Sequence, residues 1–226
     1  EAQVMPKSMV AIQCLIVIGL VLIGSSGHAD EESNTIRVAK VSFGNGQSTE
    51  CFSDGFLTLV DRDSHLSVQR KFAKVDLGSS ELFSTPMAVM AGDKPFTLTD
   101  KQVGNLGKYL RRGGFLLASA SCANKPFDDS FRREIKRVLP DSQLVSLPAD
   151  HELLSMLYRV DRVITVKPSE SPVMAVVIDG RIAVLYSPIG LNDSANMGKE
   201  CCCCGANEIR NARQINANAL VYAVTH

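Results

Sequence analysis

Two hydrophobic periods alternate along this chain. "IRVAKVSFG" (36–44) sets Ile36, Val38, Val41 and Phe43 in near-alternation and predicts a strand. "CFSDGFLTLVDRDS" (51–64) shifts to the helical period, with Phe52, Phe56, Leu59 and Val60 on one face. "SVQRKFAKVDL" (67–77) predicts a second strand. "PMAVMAG" (86–92) is almost wholly apolar, the pattern of a strand covered on both faces. In "TLTDKQVGNLGKYLRRGG" (97–114), Thr99 and Gln102 fit a capping box and Gly113 a stop, with Val103, Leu106 and Leu110 as the inner stripe. "GFLLASAS" (114–121) is another buried strand.

The second half continues the alternation. "DDSFRREIKRVLP" (128–140) predicts a helix capped within Asp128 to Ser130, burying Phe131, Ile135, Val138 and Leu139 and ended by Pro140. Its Arg132, Arg133, Lys136 and Arg137 read as a solvated outer face. A short strand, "QLVSLP", and a short helix, "HELLSMLY", follow. "PVMAVVIDGRIAVLYSP" (172–188) predicts a β-hairpin, because Asp179-Gly180 suits a tight type I′ turn. "GANEIRNARQINANALVYAVT" closes the chain as a helix with Ile209, Ala212, Ile215, Ala219 and Tyr222 inward.

Strands alternating with helices predict an α/β three-layer sandwich with a mainly parallel central sheet, plus a C-terminal β-hairpin and helix. In such sheets ligands gather beyond the carboxyl ends of the strands. Those loops are the place to look for chemistry.

The first stretch stands outside this pattern. Lys7, an apolar run from Met9 to Ile23 and small residues ending at Ala29 predict a secretory signal over 1–29. The run is fifteen residues, short of the ~20 that a spanning helix needs. The expectation is cleavage and export of one domain, 30–226, to the periplasm or the extracellular space. Contact with a membrane would come only from an uncleaved leader. Loss of Glu1 and Lys7 takes each charge count from 24 to 23. A neutral domain shows no basic footprint, so nucleic acid is not an expected partner. "GNGQ" (44–47) lacks G-x-G-x-x-G and a following lysine-serine pair, which argues against a nucleotide loop.

Six of the seven cysteines lie beyond the leader. Cys51, Cys122 and the run Cys201, Cys202, Cys203 and Cys204 each follow a predicted strand, so all six can share one edge of the sheet. An even count in an exported domain points first to disulfides, with Cys51 and Cys122 as partners for the run. Thiolates also bind zinc or copper(I), which makes Cys51, Cys122, Cys201, Cys202, Cys203 and Cys204 candidate ligands. Neighbouring side chains in an extended run point in opposite directions, so the four do not face one ion together, and a turn would have to aim two inward with Cys51, Cys122 or His151 completing the site. A third reading makes Cys122 a nucleophile at a strand-to-helix junction with His151 as its base. A fourth has the cysteines simply packing as small hydrophobes. Asp128 and Asp129 read as helix caps rather than an acid–base pair. Asn207, Glu208, Arg210, Asn211 and Arg213 suit either an anion or partner site or ties for the cysteine loop, and the ties are the favoured reading.

"L..YLRRGGFL", "FD.SFRRE.KRV.P" and "L..DH.L" in combination resemble the domain of unknown function 4159 family, over residues 36 to 225. The ending, "CCCCGANEIRNARQINANALVYAVT", is similar to an exported bacterial, planctomycete-like branch of it. The resemblance implies a flavodoxin-like or class I glutamine amidotransferase-like fold and no particular reaction. No H-x-E pair follows Cys122, so the glutaminase triad is not expected here. The expected function is a binding or structural module of the cell envelope, with an unknown protein or small-molecule partner. The alternative is a cysteine- or metal-dependent hydrolase at the same edge.

Overall fold

A computed structural model describes residues 35–49, 51–194 and 209–226. The predicted leader, the run Cys201, Cys202, Cys203 and Cys204, and the first residues expected in the last helix lie outside the described residues. Within them, eight strands form one sheet: β1 (Val38–Phe43), β2 (Gln47–Ser48), β3 (Ala73–Asp76), β4 (Met87–Gly92), β5 (Phe115–Ala120), β6 (Val145–Ser146), β7 (Met174–Ile178) and β8 (Arg181–Ser187). The main path runs β2-β1-β4-β5-β8-β7-β6, with β3 also on β1. The β3–β1, β1–β4, β4–β5 and β5–β8 ladders are parallel. β2, β7 and β6 join antiparallel. This is a mixed α/β domain with a mostly parallel central sheet.

Among the described residues, four helices cover the sheet: α1 (Gly55–Asp63), α2 (Asp100–Arg111), α3 (Lys125–Val138) and α4 (Ala212–Thr225). The period of two sorts each central strand between two cores. Phe115 and Leu117 of β5 pack with Phe56, Val60, Ile215 and Leu220 of α1 and α4. Leu116, Ala118 and Ala120 pack with Leu106, Leu110, Phe131 and Ile135 of α2 and α3. The apolar runs of β4 and β5 follow from having a helix layer on each side. Gly92 ends β4 because a Cβ there would lie 2.6 Å from the Phe127 ring. β7 and β8 meet across Asp179 and Gly180, with φ of 50° and 80°.

Several boundaries differ from those predicted, each for a local reason. The second strand shortens to Ala73–Asp76, with a single bridge at Val68. Arg70 and Lys71 instead reach Asp61 and Asp54 beside α1, drawing that stretch off the ladder. α1 starts at Gly55 and buries Leu57 in place of Leu59, while Phe52 packs against Phe56 from the preceding loop. α3 starts three residues earlier than Asp128. Asn124 accepts the Phe127 N–H at 2.9 Å, and Pro126 sits in the first turn, where its missing N–H costs nothing. α4 starts at Ala212, because Ile209 bridges to Thr165 and the Asn211 side chain binds the Ile164 N–H and the Arg162 carbonyl. α2 carries the capping box of Thr99 and Gln102, and Gln102 Oε1 also accepts the Gly44 N–H at 3.0 Å.

β1 and β4 pair only as far as Lys40 and Val89. Beyond that the chain doubles back from β1 as β2 and sets Thr49 between the two strands. The Thr49 hydroxyl shares its proton between the Val41 and Val89 carbonyls at 2.9 and 3.1 Å and accepts the Ala91 N–H at 3.2 Å. Thr49→Val keeps the shape and removes the hydroxyl, leaving buried peptide groups without partners. It should cost about 1–3 kcal/mol in urea unfolding, and Thr49→Ser distinctly less. Equal stability of the two variants would mean that the hydroxyl bridge contributes nothing.

Candidate functional site

Where three strand ends converge on the carboxyl edge, one side chain joins them. Asn192, five residues past β8, is 6% exposed. Its Oδ1 accepts the Ser119 hydroxyl of β5 at 2.5 Å. Its Nδ2 donates to the Cys51 carbonyl at 2.9 Å and the Ser121 hydroxyl at 2.8 Å. Its own carbonyl accepts the Ser53 N–H at 2.9 Å, fixing the entry to α1. The Ser119 hydroxyl also accepts the Leu191 N–H at 2.7 Å. A single amide thus ties the loop after β2, the turn after β5 and the loop after β8.

A charged pair continues the network into α4. Asp193, 3% exposed, accepts Arg213 Nε at 2.6 Å. The Arg213 guanidinium packs over the start of α1, and a Cβ at Gly55 would lie 3.2 Å from it. Asn216 Nδ2 donates to the Leu191 carbonyl at 2.8 Å. Its fully buried Oδ1 has no hydrogen-bond partner among the described residues.

Backbone strain gathers in the same place. Among the described residues, five non-glycine positions have positive φ, and four of them stand here: Cys51 (45°), Cys122 (56°), Ala123 (54°) and Asp193 (51°). A left-handed residue with a Cβ costs roughly 1–2 kcal/mol, so the surrounding contacts must impose each one. The Asn192 bonds to Cys51 and Ser121 are positioned to do so. Cys122 lies on a tight turn between β5 and α3, although the sequence there lacks the small-x-nucleophile-x-glycine pattern.

The predicted candidates divide between two edges. Cys51 and Cys122 share the carboxyl edge through Asn192, and neither is without a partner. Cys201, Cys202, Cys203 and Cys204, expected at the same edge as disulfide partners or metal ligands, lie outside the described residues. His151 does not join Cys51 and Cys122. Its Nδ1 accepts the Leu153 N–H at 3.1 Å and caps a 3-10 turn over Glu152–Ser155. Its ring lies 6.0 Å from Tyr222, whose hydroxyl accepts the Ile182 N–H near the start of β8 and whose ring lies 6.2 Å from Phe115, the first residue of β5. His151 therefore sits at the amino edge, a strand length of roughly 17 Å from the Cys122 turn. The placement of His151 at the carboxyl edge is corrected on this ground, and with it the pairing of His151 to Cys122. Among the described residues, no group of three or more His, Cys, Asp and Glu side chains is arranged to hold a metal ion. Of the six candidate thiolate ligands that statement covers Cys51 and Cys122, and Cys201, Cys202, Cys203 and Cys204 stand apart from it.

Sequence reasoning passed over Asn192, Ser119 and Asp193. Their signal was present: hydroxyls at alternate positions in "LLASAS" cannot stay unbonded in a buried strand, and "LND" closely follows an apolar strand. Together these features define a mixed α/β domain with a polar, strained carboxyl edge braced by its own side chains. The chain belongs to the family described as Domain of unknown function (DUF4159), whose model matches residues 37–224. No curated protein matches it.

Asn192→Asp exchanges the donating amide for a carboxylate facing the Cys51 carbonyl. The variant should lose on the order of 2–4 kcal/mol at neutral pH. Burial raises the folded-state pKa of the new carboxyl above its unfolded value of about 4. The folded state then binds the proton more tightly, so the deficit shrinks as pH falls toward 4 and is full once pH rises through the folded pKa. Thermal melting of both proteins from pH 4 to pH 8 reads the difference. A pH-independent gap would mean that the site is open to water.

Proposed function

We propose that this chain is an exported binding or structural module of the cell envelope, released after cleavage of residues 1–29. Its carboxyl edge is locked by disulfides that join Cys51 and Cys122 to the run Cys201, Cys202, Cys203 and Cys204. The observation that carries this reading is the convergence of four left-handed, non-glycine residues on Asn192, two of them half-buried cysteines. A covalent tether supplies what such strain requires. Neither Cys51 nor Cys122 stands without a partner, which is compatible with such a tether. The polar groups of the edge are also spent on one another, Ser119 on Asn192 and Arg213 on Asp193, as in a brace. The parallel strands follow the order β3-β1-β4-β5-β8, which supports a flavodoxin-like or class I glutamine amidotransferase-like fold.

A second reading, a cysteine- or metal-dependent hydrolase, is favoured by one observation. Cys122 occupies a left-handed strand-to-helix turn, the backbone on which nucleophile elbows are built. That reading needs a base other than His151, or zinc or copper held by Cys51, Cys122 and the run.

Intact mass after alkylation, with and without reduction, separates the two on protein recovered from an oxidising compartment. The module reading expects a chain starting at Asp30, Cys51 and Cys122 unlabelled before reduction, six labels after it, and no zinc or copper by elemental analysis. Selective labelling of Cys122 without reduction, or a stoichiometric metal with free sulfurs, would sink it in favour of the hydrolase.

A further inference from the structure

A cavity of about 360 Å³ opens between α3 and the β6–β7 margin of the sheet, on the helix layer remote from α1 and α4. Ile135, Leu139 and Val176 form its buried apolar wall and Leu144 its half-buried side. Arg132 and Lys136, one helical turn apart on α3, stand exposed at its mouth. The volume is in the range of small-molecule sites, which pair apolar walls with a few placed polar groups.

The cations are held in position from below. The Tyr186 hydroxyl donates to Asp128 Oδ1 at 2.8 Å, and the same oxygen accepts Arg132 Nε at 2.8 Å. Tyr186 is fully buried and stacks on Phe131 at 4.0 Å. Burial and the adjacent carboxylate push its phenol far above the ordinary range, so it remains a donor. Arg132 is thereby locked at Nε, with a terminal nitrogen 3.4 Å from Met174 Sδ. Lys136 binds the Pro140 carbonyl at the end of α3, which uses one of its three donors. Arg132 stands more than a turn back from that carbonyl end, beyond the reach of its partial negative charge. Asp128 offsets one of the two positive charges and leaves room for a single negative charge at the mouth.

We infer that this cavity binds a small amphipathic monoanion, its apolar body against Ile135, Leu139, Leu144 and Val176 and its carboxylate between Arg132 and Lys136. The site is separate from the carboxyl edge and does not depend on the state of the cysteines.

Octanoate is the probe, with 1-octanol as its neutral counterpart, titrated calorimetrically into the mature protein. Octanoate should bind saturably at one site, with octanol weaker by roughly tenfold, because a charge-assisted hydrogen bond is lost. Lys136→Gln should weaken octanoate by about tenfold and leave octanol unchanged. Ser142→Trp, at the half-buried side of the opening, should abolish both while melting normally. Absence of saturable octanoate binding, equal affinity for octanol, or unchanged octanoate affinity in Lys136→Gln would each overturn the assignment.

Discussion

No one ladder holds the exits of β2, β5 and β8 together, and the Asn192 amide takes that role. One side chain accepts from β5, donates to the loops after β2 and β5, and offers its backbone carbonyl to the start of α1. An amide suits the position because it gives two hydrogens and accepts a third bond at once, whereas a carboxylate only accepts and a hydroxyl has a single hydrogen to give. The left-handed turns at Cys51, Cys122 and Asp193 lie on segments that this amide or its own backbone holds in place. Local strain and the buried network are therefore one feature seen twice. The conformations that these residues disfavour alone persist because the amide would lose its partners if they relaxed.

The two cores meet through the sheet, and their chemistry differs. The face under α1 and α4 is closed by apolar packing and by Asn218, whose side chain binds the Leu157 and Tyr158 N–H groups and the Tyr158 carbonyl. The face under α2 and α3 is aromatic, with Phe43, Phe96, Phe127, Phe131 and Tyr186 in successive ring contacts. Such rings fix their neighbours' orientation as well as burying area. Glu134, buried beside them, is matched by Arg133 and Arg137, which also bind the Phe96 and Leu98 carbonyls. Arg133 and Arg137 of the basic run on α3 are thus committed to holding the β4–α2 loop.

The fold was legible where one physical rule acted alone. Apolar runs located β4 and β5, and the capping box located α2, because burial and caps leave local marks. Boundaries shifted where a second rule competed. Asn124 and Pro126 started α3 early, and the Asp54 and Asp61 carboxylates drew Lys71 and Arg70 from the ladder. The site was half legible. Strand ends placed Cys51 and Cys122 on one edge, since each closely follows a strand. His151 was misplaced because its edge depends on which way the chain crosses after α3, a long-range fact without a local signature. Asn192 was missed because its partners are 71 to 141 residues away in sequence.

Thr49 has a wider consequence. Sheets of this strand order reverse direction between β1 and β4, and the cleft left at that reversal is the usual berth for phosphates and flavins. Here the β2 arm folds into that cleft and Thr49 takes up the backbone groups that line it. A group entering between β1 and β4 would compete with Thr49 for the Val41 and Val89 carbonyls and the Ala91 N–H. The gap between the two strands is thereby spent on the fold's own hydrogen bonds.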